Sequence, residues 1–257
     1  MKLKISITQQ LLIFFILTFV IGWPAFTPVM TGHTPPTFGA FIFLYSPAVA
    51  ALVTAFLANG WTGIKAVLAG YFRWKFSMRW YLLVLLALPA FFLAAGLVQF
   101  LTQPNPLWTG SSWYFVIASF VFLMVINSGE EIGWRGFALA RLQTRIKSPL
   151  VASLVLGLVW GAWHLPMYLD PQQSAFPLPL FLLFIIGISI LYTVVFNHTR
   201  GSLWMAVILH ASTDIAPRFM QIAHFSVLAW SVIVTLTWIA ALVLYFATNH
   251  TPPVRME

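Results

Sequence analysis

Acidic residues are rare in this chain, and most of them stand in apolar surroundings. Glu130, Glu131 and Asp214 fall within or beside hydrophobic segments, whereas Asp170 follows one and Glu257 ends the chain. An ionisable group in hydrocarbon costs several kcal/mol, so it normally faces an interior cavity and has a partner. The alternative is a position among the lipid headgroups, where these acids would only meet water. The first three acids are therefore the first candidates for chemistry.

Two of the acids belong to the segment SGEEIGWRG at positions 128–136. In a helix, Glu131 and Arg135 stand four residues apart on one face and form a charge-neutralising pair. Glu130 is rotated by about 100° from Glu131 and stays available. This arrangement predicts a working carboxylate beside a structural one. The glycines at 129, 133 and 136 predict the close approach of a neighbouring helix.

Histidines supply two further motifs. His164 ends an apolar stretch one helical turn after Trp160, and His210 lies four residues before Asp214. A carboxylate at that spacing orients the ring and selects its tautomer, or ligates a metal together with it. A packing histidine and a polar clasp between helices are the structural alternatives. Such groups on three separate helices favour a functional cluster.

The composition requires a membrane protein. Of the 257 residues, 61% are hydrophobic and only 7% are charged, whereas a soluble domain is usually about 25% charged. The length fits a single membrane domain, residues 1–257, with a motif core at about 110–216. Cysteine is absent, which excludes disulfides and thiolate chemistry. The net charge of +8 does not indicate nucleic acid, because the cations lie between apolar segments.

A bilayer span needs about 20 mainly apolar residues. The chain offers eight candidates, with a short seventh and a fourth that runs into charged residues. The fold class is therefore an all-α polytopic transmembrane helix bundle of about eight helices. The predicted spans are 8–30, 40–59, 80–101, 113–133, 149–168, 178–197, 202–216 and 224–247.

Basic residues predict the orientation of these helices. With the N-terminus inside, twelve of the 13 Lys and Arg residues fall in inside segments and only Arg218 falls outside. Lys and Arg accumulate on the cytoplasmic side of membrane proteins. We therefore expect both termini in the cytoplasm, and an integral protein of the bacterial cytoplasmic (inner) membrane.

The three motifs together resemble a known family. They are similar to the CPBP family of intramembrane proteases, also called the Abi or type II CAAX prenyl endopeptidase family. Its pattern is Glu-Glu-x-x-x-Arg, then aromatic-x-x-x-His, then His-x-x-x-Asn or Asp. This chain carries EEIGWR at 130–135, WGAWH at 160–164 and HASTD at 210–214. Trp160 stands where Phe is usual, an aromatic exchange that we expect to be harmless, and Asp214 stands where the eukaryotic enzymes have Asn.

The resemblance implies roles for these residues. Glu130 would activate water as general base, with His164 positioning or protonating, and Arg135 would fix Glu131. His210 and Asp214 would sit at the oxyanion or at a metal. An ionised Asp cannot donate to an oxyanion as Asn does, so Asp214 suits a protonated carboxyl, a partner for His210 or a metal ligand. No cofactor is certain. Zinc is a candidate, and its candidate ligands are Glu130, His164, His210 and Asp214.

The predicted function is that of an intramembrane endopeptidase, with a cavity open to the cytoplasm through which water reaches Glu130. The expected partners are membrane lipids and a peptide or a lipidated protein as substrate. A non-catalytic scaffold or bacteriocin-immunity factor is the alternative, and a proton-coupled transporter is a weaker one. The oligomeric state and the pathway are not readable from the sequence.

The depths of the three motifs also constrain the helices. At about 1.5 Å per residue, spans that all start at the membrane surface place Glu130, His164 and His210 at different levels. We therefore expect the fourth helix to continue past Glu130 towards Arg141, and the fifth to begin below the bilayer. The carboxyl and the two rings should then lie within about 8 Å of one another, close enough to share one water or one metal.

Overall fold

The described residues form eight main helices, most of them apolar. The computed structural model describes residues 5–25, 37–103, 112–169, 176–220, 225–248 and 253–255, and within them all regular structure is helical. This confirms the all-α polytopic bundle. The helices are α1 (Ile7–Ala25), α2 (Thr37–Leu68), α3 (Met78–Thr102), α4 (Trp113–Arg145), α5 (Pro149–Trp163), α6 (Leu178–His198), α7 (Leu203–Met220) and α8 (Val227–Ala247).

The helix bounds follow the predicted spans with three differences. Six of the eight helices are long and apolar enough to cross a membrane, whereas α5 has only 15 residues and α7 is more polar. Helix α4 continues past Glu130 to Arg145, as the depth argument required. Helix α7 continues through Pro217 to Met220 instead of ending near the proline. Asp170, Glu257 and most of the predicted outer connectors lie outside the described residues.

Helix α2 extends beyond its predicted span because two helical parts follow one another across a kink at Gly60. Gly60 has a φ of 60° and a ψ of −147°, and the helix resumes after it to Leu68. A positive φ is costly for residues with a Cβ and ordinary for glycine. The predicted end of the span at 59 therefore marks this bend, and the continuation carries the chain to the next loop.

The outward faces of the helices are apolar. On α1, Leu12, Ile16 and Val20 are 57%, 60% and 62% exposed at a spacing of four residues, while Phe14 between them is fully buried. An exposed apolar stripe of this kind is unfavourable in water, whereas it is common on helices that face lipid chains. The bundle thus presents hydrocarbon outwards and keeps its polar residues inside, as a membrane protein requires.

The helices pack as a ring. Each contacts the next in the cyclic order α1, α2, α4, α7, α3, α8, α6, α5, and α5 returns to α1. The second half of α4 contacts α2, α5, α6 and α7. This part of α4 carries Arg135 and follows directly after Glu130 and Glu131, and all three side chains are buried inside the ring.

The two ends of the ring differ in chemistry. At one end, residues 70–73, 143–147, 197–203 and 253–255 lie together, as shown by Gln143 Nε2 donating to the Val254 carbonyl at 3.0 Å. We call this the basic end, because most of the Lys and Arg residues lie there. At the opposite end, Trp23 Nε1 donates to the Trp163 carbonyl at 3.2 Å, and Phe176 stacks on Trp230 at 3.6 Å.

Helix α4 changes its winding just after the two glutamates. Residues Ile132–Leu139 form a π-helix between the α-helical parts Trp113–Glu131 and Ala140–Arg145. Such segments occur mostly at functional sites. Helix α2 approaches closely here, since a Cβ on Gly129 would lie 2.7 Å from the Leu44 carbonyl oxygen and one on Gly133 would lie 2.6 Å from the Pro47 carbonyl carbon. The small-residue prediction is confirmed at both positions.

Because α2 lies so close to α4, replacing a glycine of α4 by alanine should destabilise the protein at some positions and not at others. Gly133→Ala should lower the free energy of unfolding by about 1–3 kcal/mol, because the added methyl meets backbone that cannot move aside. Gly136→Ala is the matched control, since its methyl would meet the flexible Leu203 side chain at 3.2 Å and Val67 at an ordinary contact distance of 3.5 Å. Thermal unfolding of both variants in detergent measures the difference, and equal losses would contradict the close packing of α2 on α4.

Candidate active site

Glu131 and Arg135 form a buried ion pair on the inner face of α4. Both side chains have 0% exposure, and Arg135 Nη1 donates to Glu131 Oε1 at 2.9 Å. The same oxygen forms a hydrogen bond with Nδ1 of His210 on α7, at 2.7 Å. Glu131 therefore joins α4 to α7 while its charge is balanced by the guanidinium. The predicted pairing of Glu131 with Arg135 is confirmed.

Aromatic rings enclose the guanidinium. Its central carbon lies 4.1 Å from the Trp160 ring centre and 3.7 Å from that of Tyr192. A cation over an aromatic face is stabilised by the ring quadrupole, most strongly where water is excluded. Arg135 is thus held by its carboxylate, by α5 and by α6 at once.

Glu130 points away from this pair and has a different partner. It is buried with 3% exposure, and its Oε2 accepts a hydrogen bond from Trp160 Nε1 at 2.8 Å. An N–H to a carboxylate is a charge-assisted hydrogen bond, which is about twice as strong as a neutral one. This hydrogen bond to Oε2 fixes the orientation of the Glu130 carboxylate. Oε1 is the other oxygen of that carboxylate. The expectation that Trp160 is a harmless replacement for Phe does not account for this bond, which Phe cannot make.

His164 caps the end of α5 beside Trp160. Its Nδ1 lies 2.8 Å from the Trp160 carbonyl oxygen, which can only accept, so Nδ1 carries the proton. His210 Nδ1 faces the Glu131 carboxylate in the same way. In the neutral form, both rings therefore keep Nε2 as an acceptor, and a protonated ring donates from it.

Asp214 has a partner that the sequence interpretation did not include. Its Oδ2 accepts from Asn127 Nδ2 on α4 at 3.0 Å. The hydrogen bond of His210 Nδ1 goes to Glu131 instead. Nδ1 of His210 is thus held by Glu131 from the neighbouring helix, and the roles considered for Asp214 stay predictions.

One cavity brings the predicted residues together. It has a volume of about 570 Å³ and is lined by Glu130, His164, His210 and Asp214, together with Trp160 and Tyr192. Glu131 and Arg135 do not line it and lie behind its wall. Glu130 is thus the member of the glutamate pair that faces the space where a substrate could lie. The separation of the carboxyl and the two imidazoles, expected within about 8 Å, stays a prediction.

The cavity extends towards one end of the bundle. Its lining runs from Glu130 and His210 to Phe176 and Trp230, which stack at the end opposite the basic one. Trp134, Arg135 and Phe137 are fully buried with 0% exposure and do not line the cavity. The side of the membrane to which the cavity opens stays a prediction.

Two of the candidate zinc ligands, Glu130 and Asp214, have hydrogen-bond partners in this structure. Among the described residues, no three His, Asp or Glu side chains converge as ligands of a metal ion. Glu130 Oε2 is hydrogen-bonded to Trp160, and the one hydrogen bond of the Asp214 carboxyl comes from Asn127. Zinc, with Glu130, His164, His210 and Asp214 as candidate ligands, stays a prediction.

Two residues of the site were missed in the sequence. Asn127 lies one turn before Glu130 and Glu131 on the same apolar helix, so its position held a usable signal. Tyr192 stacks on Arg135 and lies with its ring centre 6.0 Å from that of His210. It comes from the middle of α6, outside all three motifs, and no spacing rule connects it with them.

The division between the glutamates predicts different stabilities. Glu131→Gln should cost about 3–5 kcal/mol of folding free energy, because it leaves the Arg135 charge buried without a counter-charge. Glu130→Gln keeps the shape and an acceptor for the Trp160 N–H, so it should stay close to the parent protein. Chemical or thermal unfolding of the two purified variants measures this, and equal destabilisation would remove the assignment of separate roles.

Comparison with known proteins agrees with the motif region. Residues 109–216 match the family described as Type II CAAX prenyl endopeptidase Rce1-like. The chain is also 30% identical over 118 residues to CAAX prenyl protease 2 of Methanococcus maripaludis, which covers 43% of each protein. The match thus spans less than half of the length of this curated relative. All six predicted site residues, Glu130 to Asp214, lie in the matched segment. The motif core of this chain is therefore similar to the type II CAAX prenyl endopeptidase, or CPBP, family.

Proposed function

We propose that the protein is an intramembrane endopeptidase in which Glu130 activates the hydrolytic water. One observation carries the proposal: of two adjacent buried carboxylates, Glu131 is neutralised by Arg135, and Glu130 faces a cavity with two histidines. A general base must reach the water that it deprotonates. It must also not be held in a permanent ion pair, which would lower its basicity. Glu130 meets both conditions.

The contacts suggest a sequence of steps. Glu130 takes a proton from water as its oxygen attacks the peptide carbonyl, and His164 Nε2 helps to hold that water. Protonated His210, fixed by Glu131, donates from Nε2 to the oxyanion of the tetrahedral intermediate. Glu130 then gives its proton to the leaving amine as the carbon–nitrogen bond breaks. Asn127 holds the Asp214 carboxylate and keeps an amide next to the cavity.

The competing functions fit the structure less well. A scaffold would need the polar groups for packing, which accounts for Glu131 and Arg135 but not for Glu130 in a cavity wall. A transporter would need a polar path through the bundle, whereas most residues that line the cavity around Glu130 are aromatic or aliphatic. Metal-dependent hydrolysis is the remaining alternative for the same site, and activity that persists after metal chelation separates the two mechanisms.

The walls of the cavity suit an apolar substrate. Aromatic and aliphatic residues, Phe43, Phe92, Phe181 and Phe184 among them, surround the polar groups. A second cavity of about 430 Å³ between α2 and α4 shares Leu44, Leu123 and Ile126 with the first. We propose a peptide with apolar or lipidated residues next to the scissile bond, in keeping with the name of the relative. The peptide would enter from the end opposite the basic one.

Catalysis should depend on Glu130 and on the indole N–H that holds it. Glu130→Gln should lower kcat by at least about 10²-fold, the usual contribution of a general base. Trp160→Phe should lower kcat by about 10-fold or more with little change in KM, because a charge-assisted hydrogen bond worth about 1.5–3 kcal/mol is lost. The assay is cleavage of a farnesylated CAAX peptide, and of its unprenylated form, by protein in liposomes.

Trp134→Phe is the matched control for the indole. It removes the same atoms from the same core, but Trp134 Nε1 has no hydrogen-bond partner among the described residues. Its kcat should stay within a few-fold of the parent. Full activity of Glu130→Gln would end the proposal, and equal effects of the two Phe variants would reduce Trp160 to a packing residue.

The direction of access can be measured without activity. The chain has no cysteine, so each introduced thiol is unique. Met167→Cys lies in the cavity wall and should react with an impermeant maleimide applied outside intact cells. Ser77→Cys at the basic end should react only after permeabilisation. The reverse labelling pattern would show that the cavity opens to the cytoplasm and would contradict the proposed direction of access. It would not affect the role of Glu130, which the activity of Glu130→Gln tests separately.

A further inference from the structure

A second concave surface, a groove of about 1010 Å³, lies at the basic end, away from the active site. Cations from three parts of the chain line it: Arg73 and Lys75 between α2 and α3, Arg200 between α6 and α7, and Arg255 after α8. The usual excess of Lys and Arg on one membrane side explains their presence at this end. It does not explain why four of them converge on one groove.

Contacts between the three segments build the groove. Arg73 Nη1 donates to the Arg200 carbonyl oxygen, and Ser202 Oγ donates to the Arg73 carbonyl oxygen. Arg200 itself has a φ of 49°, in the left-handed region that non-glycine residues seldom occupy. This turn directs the backbone carbonyl of Arg200 to Arg73 and fixes both residues beside the groove.

The C-terminal segment is fastened to the same place. Val254 N donates to Asn197 Oδ1 at 3.0 Å, and Gln143 Nε2 donates to the Val254 carbonyl at 3.0 Å. These bonds pair both backbone polar groups of Val254 with side chains of α4 and α6. Arg255 is thereby brought to the groove from a part of the chain far from the other cations in sequence.

The charges of the groove have no acidic partner in the described part of the chain. The acids described there are Glu130, Glu131 and Asp214, all at the active site. Four like charges on one surface repel one another, and an anion bound among them relieves the repulsion. Phosphate is the common anion for which Arg and Lys side chains are suited.

Aromatic residues indicate the kind of phosphate compound. Phe72 and Trp74 line the same groove and are 84% and 55% exposed. Trp and other aromatic residues at helix ends lie at the level of lipid headgroups. An occupant with a phosphate and an adjoining apolar body satisfies both kinds of wall. We propose that this groove binds the phosphate headgroup of an anionic phospholipid.

Lipid titration of the purified protein tests the proposal. Phosphatidylglycerol, phosphatidylcholine and inorganic phosphate are added separately in mild detergent, and binding is followed by native mass spectrometry and thermal shift. Phosphatidylglycerol should bind and raise the Tm, and phosphatidylcholine should not. The double variant Lys75→Gln/Arg255→Gln should weaken phosphatidylglycerol binding by about 10-fold or more, since each cation near a membrane surface adds to the attraction.

The control removes the same charge outside the groove. Lys65→Gln/Lys147→Gln changes two exposed lysines of the same predicted side that do not line it, and binding should stay within about twofold of the parent. Equal loss in both double variants would show a general charge effect and overturn the site. Equal binding of the two lipids would also overturn it. Binding of inorganic phosphate with the same Tm rise would keep the anion site and overturn the lipid as its occupant.

Discussion

The ion pair of Glu131 with Arg135 is the constraint on which the rest of the site depends. Two full charges with no exposure are tolerated only with mutual compensation and further hydrogen bonds or stacking. Here the compensation comes from three other helices, through His210 on α7, Trp160 on α5 and Tyr192 on α6. The requirement to satisfy one buried pair therefore brings together the helices that carry the remaining functional groups.

Trp160 contacts both the buried ion pair and Glu130, and so it links their positions. Its ring face carries the guanidinium, its Nε1 donates to the Glu130 carboxylate and its carbonyl accepts from His164. A single side chain thus links the structural ion pair to both groups proposed to handle water. A residue on which three polar contacts converge leaves little freedom to the carboxylate, and pre-organisation of this kind is what general-base catalysis requires.

The candidate site residues could be recognised in the sequence because burying charge is so costly in a membrane. Glu130, Glu131 and Asp214 stood out against an apolar background, and the spacing of four between Glu131 and Arg135 set their pairing. Contacts between helices were less predictable. The partner of His210 comes from α4 rather than from its own helix, and Tyr192 carries no motif. The predicted end of the second span at 59 coincides with the kink at Gly60, whereas α7 continues through Pro217 to Met220, beyond its predicted end at 216.

The two ends of the bundle separate two kinds of chemistry. The basic end collects cations and exposed aromatic residues, which suit the interface with charged lipid headgroups. The opposite end holds stacked aromatic residues that line the cavity of Glu130. This cavity and the groove at the basic end share no lining residue. The two surfaces are therefore separate, and an occupant of the basic groove does not cover the residues around Glu130.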